Sequence, residues 1–319
     1  MKIKTGHKVS LFLVLTITAV VFCTLPFLAV KKDTVYVYTQ SPYPISKEKG
    51  FIRELQRLGF NVIVNSSKKP KKDAGGIWFK DPEYLSEIIQ SLEKIKFLYT
   101  EAYYPINGQG ISENMPVILT PYQNLYEHYM RSNIKAAQFT LGVDLTDFYQ
   151  RDLPKKYIMI YYGDNNKTSP IAESLKEKKD VKFIGNFWEK RENVLSDAEA
   201  DALERGKALA STHIVSIYNA PDSAQSQKIP QEIMEATASG ALVFSSPNQA
   251  VENLYGDNVI IYNNLEDFIE KSRYFIKHKD MVQGKIISAN KITAEKMSAS
   301  ASAQRFKELF DWLKENMVE

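Results

Sequence analysis

The chain has 319 residues, 44% of them hydrophobic, 25% charged and 12% aromatic, with 41 basic side chains against 38 acidic ones and a net charge of +3. That composition excludes an intrinsically disordered chain, and the small positive balance supplies no electrostatic footprint for nucleic acid. A single cysteine, Cys23, excludes an internal disulfide and a cysteine-based metal site.

Residues Leu11 to Val30 form an uncharged run of twenty, enough to cross a hydrocarbon core. Lys2, Lys4 and Lys8 precede it, and Lys31, Lys32 and Asp33 follow. This slight bias predicts an inside N-terminus and an exported body, with a cytoplasmic body as the alternative. The run exceeds the roughly 7–15 apolar residues of a signal peptide and lacks a small-x-small site near its end. Residues 1–32 therefore read as an uncleaved signal anchor, a single transmembrane helix.

The chain then alternates strand-like and helix-like segments. Thr34–Tyr38 reads as a strand, and Ser46 caps a helix with Phe51, Ile52, Leu55 and Leu58 on one face. Asn61–Val64 is a second strand, followed by a basic loop, Lys68–Lys72, which reads as a solvated turn. Gly76–Phe79 is a strand, Asp81-Pro82 starts a helix, and Ile95–Tyr99 is a strand that delivers Glu101 at its end. The segment Met115–Tyr149 reads as a strand, a Thr-Pro turn, a helix and a Gly142-Val143-Asp144 step, with Phe148 beyond it. Tyr149–Pro154 has the composition of a linker.

The second half opens with a strand at Lys156–Tyr162 and a Gly163-Asp-Asn-Asn-Lys167 loop, and Val181–Gly185 is its next strand. A strand at Ile214–Tyr218, a polar loop from Asn219 to Lys228, Pro230, a helix from Gln231 to Ser239, Gly240 and a strand at Ala241–Phe244 make a βαβ unit. Such a unit places a ligand crevice at the carboxyl ends of its strands. Pro230 suits the helix start and Gly240 its left-handed cap. Glu235 lies one turn in and leans towards the N-terminus, where free N–H groups favour a phosphate. Gly256–Tyr262 is a last strand, and Asn264 caps a helix with Leu265, Phe268, Ile269 and Phe275 facing inwards. Phe306, Leu309, Phe310 and Leu313 give the terminal helix a core face. No two of His7, His128, His213 and His278 have ligand spacing.

The run EATASGALVFSS, Glu235 to Ser246, resembles the donor-binding segment of glycosyltransferases with two Rossmann-like domains, the GT-B fold. The resemblance is to the group 1 family, especially its branch related to spore maturation proteins, and covers residues 115–319. It implies an α/β protein with an N-terminal acceptor domain at 33–150, a C-terminal donor domain at 151–319 and one linker near 150–155. It further implies a nucleotide-sugar donor, a glycan, lipid or protein acceptor, no cofactor and no obligatory metal. By the same resemblance Glu235 holds the donor ribose, while Gly163 and Lys167 meet the diphosphate and Asn219, Lys228 and Gly240 flank the donor. Many members carry a second Glu eight positions before the first; Gln227 stands there in this chain.

An inverting enzyme also needs a general base, for which Glu101 is the first candidate and His128 the second. A retaining one needs neither, so the stereochemistry stays open. An exported body would need a lumenal or lipid-linked donor, and Asn65 and Asn166 stand in Asn-x-Ser/Thr acceptors usable in such a lumen. Two other readings remain: an exported two-lobed solute-binding protein, which crosses between lobes more than once, and a catalytically silent GT-B scaffold.

Overall fold

The structure, a computed structural model, describes residues 32–42, 44–101, 114–163, 169–186, 188, 194–195, 201–218 and 227–316. The proposed anchor, Leu11–Val30, lies outside them, and no helix among the described residues is long and apolar enough to cross a membrane. Two of the expected donor residues, Lys167 and Asn219, also lie outside.

The first lobe contains β1 (Thr34–Thr39), α1 (Ser46–Arg57), β2 (Asn61–Val64), β3 (Gly75–Phe79), a 3-10 turn at Pro82–Tyr84, α2 (Leu85–Gln90), β4 (Ile95–Tyr99), β5 (Val117–Thr120), α3 (Gln123–Arg131) and β6 (Ala136–Gln138). Its sheet runs in the order β2-β1-β3-β4-β5-β6, and every pairing is parallel. The strands are apolar on both faces, as a parallel sheet covered on each side requires. Val35, Val37, Ile77, Phe79 and Phe97 face one core, while Trp78, Leu98 and Ile118 face the other. The first helix begins at Ser46, its expected cap, so the cap lies one residue earlier. Ile45 is the N-cap, and its N–H donates to the Glu48 carboxylate at 2.9 Å, whereas the Ser46 hydroxyl turns to Asp147.

The second lobe contains β7 (Tyr157–Tyr162), α4 (Pro170–Leu175), β8 (Val181–Ile184), β9 (Val194–Leu195), α5 (Ala202–Ala210), β10 (Thr212–Ile217), α6 (Gln231–Ala238), β11 (Leu242–Ser245), α7 (Gln249–Tyr255), β12 (Ile260–Ile261), α8 (Leu265–Lys277) and α9 (Lys279–Lys296). The order is β12-β11-β10-β7-β8-β9, again all parallel. The order reverses between β7 and β10, which puts the topological switch point beside α6.

The last helix, α10 (Ala299–Asn316), corrects the expected domain boundary. Ala303, Phe306, Phe310 and Leu313 pack into the first lobe's core, with Phe306 edge-on to Phe51 at 5.6 Å and Phe310 edge-on to Phe60 at 5.4 Å. Each buried Phe contributes about 1.5–3 kcal/mol of burial. The chain therefore crosses between lobes twice, not once, and Thr34–Glu319 forms one compact unit. The two crossings are fastened to each other: Val143 N–H donates to Met297 C=O and Ala299 N–H to Val143 C=O, both at 2.8 Å. Gly142 makes this approach possible, because a Cβ there would lie 2.2 Å from the Ser298 carbonyl carbon.

Candidate active site

The helix at the switch point starts at Gln231 as expected, with Pro230 as its N-cap, and its last helical residue is Ala238, one before the expected Ser239, which is the C-cap. At the other end Gly240 has φ +77°, its N–H donates to Thr237 C=O and the next N–H, of Ala241, donates to Ala236 C=O, both at 3.2 Å. That pair of bonds is the Schellman closure. Gly240 thus serves as the cap at the far end of α6 from Pro230, and it packs on Gln150 of the first crossing, where a Cβ would meet the Gln150 side chain at 2.8 Å. Gly240 therefore has a structural role in the capping of α6.

Glu235 stands one turn into α6, but it is buried, with 3% of its surface exposed. The hydroxyl of Tyr162, the last residue of β7, donates to one carboxylate oxygen at 2.6 Å. The Arg205 guanidinium of α5 lies 3.6 Å from the other, and the Gln231 amide donates to the same atom at 3.5 Å. An open cleft carboxylate, which the helix position alone suggests, is therefore not what the fold provides. Glu235 is a packed, neutralised carboxylate joining α6, β7 and α5.

Gly163 follows β7 directly. Its N–H donates to Ile184 C=O at 2.9 Å and its own C=O accepts from the Trp188 indole at 2.8 Å. Both backbone groups are engaged within the protein, and Gly163 sits at φ +157°.

The structure does bring together two other expected residues. Glu101 leaves the end of β4 in the first lobe, and Lys228 lies just before α6 in the second, with their charged atoms 3.9 Å apart. Glu101 also pairs with Lys47 in the first turn of α1 and accepts a hydrogen bond from the Tyr99 hydroxyl at 2.8 Å. Burial works to raise the Glu101 pKa, but Lys47 and Lys228 outweigh it and hold the carboxyl below its usual range. Glu101 is thus firmly ionised and a weaker proton acceptor than an isolated carboxylate. The Lys228 ammonium in turn lies 5.3 Å from the centre of the Tyr122 ring. His128, the second candidate base, sits in the last turns of α3 against Tyr129 and does not line the space between the lobes.

That space is a cleft of about 800 Å³. The start of α3 forms one wall with Gln123 and Asn124; Gln227, Lys228 and Gln249 form the other, and Arg305 of α10 closes one side. Gln227, where the family often has Glu, accepts a hydrogen bond from the Asn124 N–H at 3.1 Å. It is a second tie between lobes, and an amide oxygen suits the free N–H of a helix start. Sequence reasoning missed Lys47, Asn124, Tyr162 and Arg205. Of these only Tyr162 carried a signal, since it ends the strand that precedes the expected Gly163 loop.

Comparison with known proteins agrees with this architecture. Residues 167–311 match the family model described as glycosyl transferase-like. No curated protein sequence matches the chain significantly. Among solved structures, a glycosyltransferase from Rickettsia africae superposes with a TM-score of 0.61 at 12% identity, covering 89% of this chain and 99% of its own. HepE from Anabaena in complex with UDP-glucose gives 0.58 at 11% identity, covering 88% and 100%. Sucrose-phosphate synthase from Thermosynechococcus elongatus gives 0.59 at 9% identity, covering 88% and 99%. At such identities these likenesses establish the fold alone, and the family match lies in the second lobe. Two crossings no longer separate a transferase from a two-lobed binding protein; the match of residues 167–311 to a glycosyl transferase-like model, with a GT-B-like fold, is consistent with the group 1 family that the sequence resembles.

Proposed function

We propose that the chain transfers a sugar from a nucleotide-sugar donor, bound between its lobes, to a hydroxyl of a glycan, lipid or protein acceptor. The observation that carries this reading is the Glu101–Lys228 pair, which sets a cation at the entry of α6 and ties it to the strand ends of the opposite lobe. In the transfer, the acceptor oxygen bonds to the anomeric carbon as the bond from that carbon to the diphosphate oxygen breaks. The electron pair leaves with the diphosphate, and the acceptor hydroxyl gives its proton to the departing diphosphate oxygen or, on the rival assignment, to the Glu101 carboxylate. The Lys228 ammonium and the free N–H groups at the start of α6 offset the leaving charge without a metal. Glu101, held ionised by two lysines, acts as a positioning residue for Lys228. The role of general base stays its rival assignment. HepE binds UDP-glucose, which supports a uridine diphosphate sugar as the first donor to try. Glu235 supports the donor pocket by fixing α6 against β7, and a direct ribose bond would have to share its carboxylate with Tyr162.

The uncharged run Leu11–Val30 supports a membrane anchor, with the body exported. Retention of the full chain in the membrane pellet after alkaline extraction, and its loss on removal of residues 1–32, tests that part.

The central test is a thermal-shift series with UDP-, GDP-, CMP- and ADP-sugars, since a ligand that binds the folded state raises its melting temperature by mass action. One donor class is expected to stabilise the protein and to release its nucleotide diphosphate when acceptor is supplied. No stabilisation by any of them, together with no nucleotide release, overturns the proposal.

A further inference from the structure

A second cavity, of about 390 Å³, opens at the other end of the second lobe's sheet, where β7, β10 and β11 begin. Ile214 and Leu242 form its floor, and Phe275 and Ile286 of α8 and α9 form its walls. Two large apolar side chains at its mouth are left in solvent: Ile158 is 45% exposed and Ile276 is 48% exposed. Three basic groups stand among these apolar ones, Lys155, His213 and Lys279, and no acidic side chain among the described residues lines the cavity. Among the described residues none of the three makes an ion pair, and the Lys155 ammonium donates to the Ala210 carbonyl at 2.9 Å. Partial burial, then Lys155 and Lys279, push the His213 pKa down, and burial lowers that of Lys155. Lys279 is also the first residue of the 18-residue α9, at the positive end of its dipole, where a cation is disfavoured. Asp280, next along the helix, lies outside the cavity lining. An apolar hollow ringed by uncompensated cations is complementary to one chemistry, a chain with an anionic end.

We propose that this cavity binds a single-chain anionic amphiphile, an unbranched acyl chain ending in a carboxylate or phosphate. The chain covers Ile158, Ile276 and Phe275, and the head group sits among Lys155, His213 and Lys279. At about 30 Å³ per chain carbon, close to the share of a water molecule in the liquid, the volume takes a chain of about ten to thirteen carbons. The site is distant from the interlobe cleft along the strands, since β7 and β10 start here and end beside it, and it stands whether or not the transferase reading holds.

Calorimetric titration of the full chain with hexanoate, octanoate, decanoate and dodecanoate, all kept below their micelle concentrations, tests the proposal. Affinity is expected to rise about fourfold per methylene, then to level off as the cavity fills. Decyl phosphate is expected to bind at least as well as decanoate, and neutral decyl maltoside about tenfold or more weaker. Lys279→Glu and Ile276→Asp, both at exposed positions, should each lower decanoate affinity about tenfold without lowering the melting temperature of the free protein. A rise in the His213 pKa on decanoate binding, read by NMR, would locate the head group. Equal binding of decanoate and decyl maltoside, or binding indifferent to both substitutions, would overturn the assignment, as would no binding at any chain length.

Discussion

The Tyr162 hydroxyl donates to the Glu235 carboxylate at 2.6 Å in a buried setting, so the end of β7 and the middle of α6 are held by one charge-assisted bond. Glu235→Gln should therefore destabilise the fold by about 1.5–3 kcal/mol, and Tyr162→Phe by a similar amount. The double substitution should cost less than the sum, because both remove the same bond. Chemical denaturation of the three variants checks this. Strict additivity would mean the bond contributes nothing.

Lys228 and Glu101 give a kinetic prediction. Lys228→Met should weaken the donor nucleotide by about ten- to a hundredfold, the equivalent of one charge-assisted bond. If Glu101 positions Lys228, Glu101→Gln loses donor affinity and adds little to Lys228→Met. A base role predicts the opposite, a fall in kcat with donor affinity kept. Glu232→Gln, in the first turn of α6 without a tie to the other lobe, serves as the control.

Acid should unfold the protein through Asp144 and Glu101. Burial works to raise the Asp144 pKa, but its bonds from Arg53 and Thr146 prevail and lower it, and its side chain is only 3% exposed. A folded pKa below the unfolded value of about 3.9 gives stability that is complete above that value and is lost as pH falls through the folded pKa. Asp144→Asn should cost about 1.5–3 kcal/mol at neutral pH and progressively less below pH of about 4. Glu101 contributes in the same direction below its unfolded value of about 4.3. Urea melts between pH 7 and 3 test the convergence of wild type and Asp144→Asn.

Two glycines predict opposite outcomes. Gly142→Ala drives a Cβ into the Ser298 backbone at 2.2 Å and should destabilise by roughly 1–3 kcal/mol. Gly284, inside α9, has nothing within 4 Å of a new Cβ, and alanine there should stabilise by about 0.5–1 kcal/mol. Thermal melts of both variants decide. Equal shifts would mean the crossings part without cost.

Much of the fold was legible because the pattern and the caps agreed. Asn61–Val64 and Ile95–Tyr99 are strands with the expected bounds, and Asn264 accepts the Asp267 N–H as the expected cap of α8. Other elements left no such trace. β6 is three residues with little apolar pattern, α7 hides behind a Ser-Ser-Pro-Asn loop, and α9 has apolar residues spread around its surface. Helical spacing announced that Phe306 and Phe310 were core but not whose core, since periodicity states a face and never its partner. The site shows the same limit. Glu235 was placed on the right turn, yet its burial depends on Tyr162 and Arg205, separated from it by 73 and 30 positions. Glu101 and Lys228 were each singled out, and nothing local says that they meet.

The helix α10 has a consequence for the order in which the protein is made. Domains emerging from a ribosome ordinarily fold in turn, the N-terminal one first. Here the hydrophobic interior around Phe51 and Phe60 waits for Phe306 and Phe310, which are synthesised after the whole second lobe. The early lobe must persist with an open apolar groove while the later one forms, and it closes only when α10 emerges. A nascent chain stalled before Ala299 should accordingly recruit holdase chaperones through its first 150 residues, and release them once α10 clears the exit tunnel.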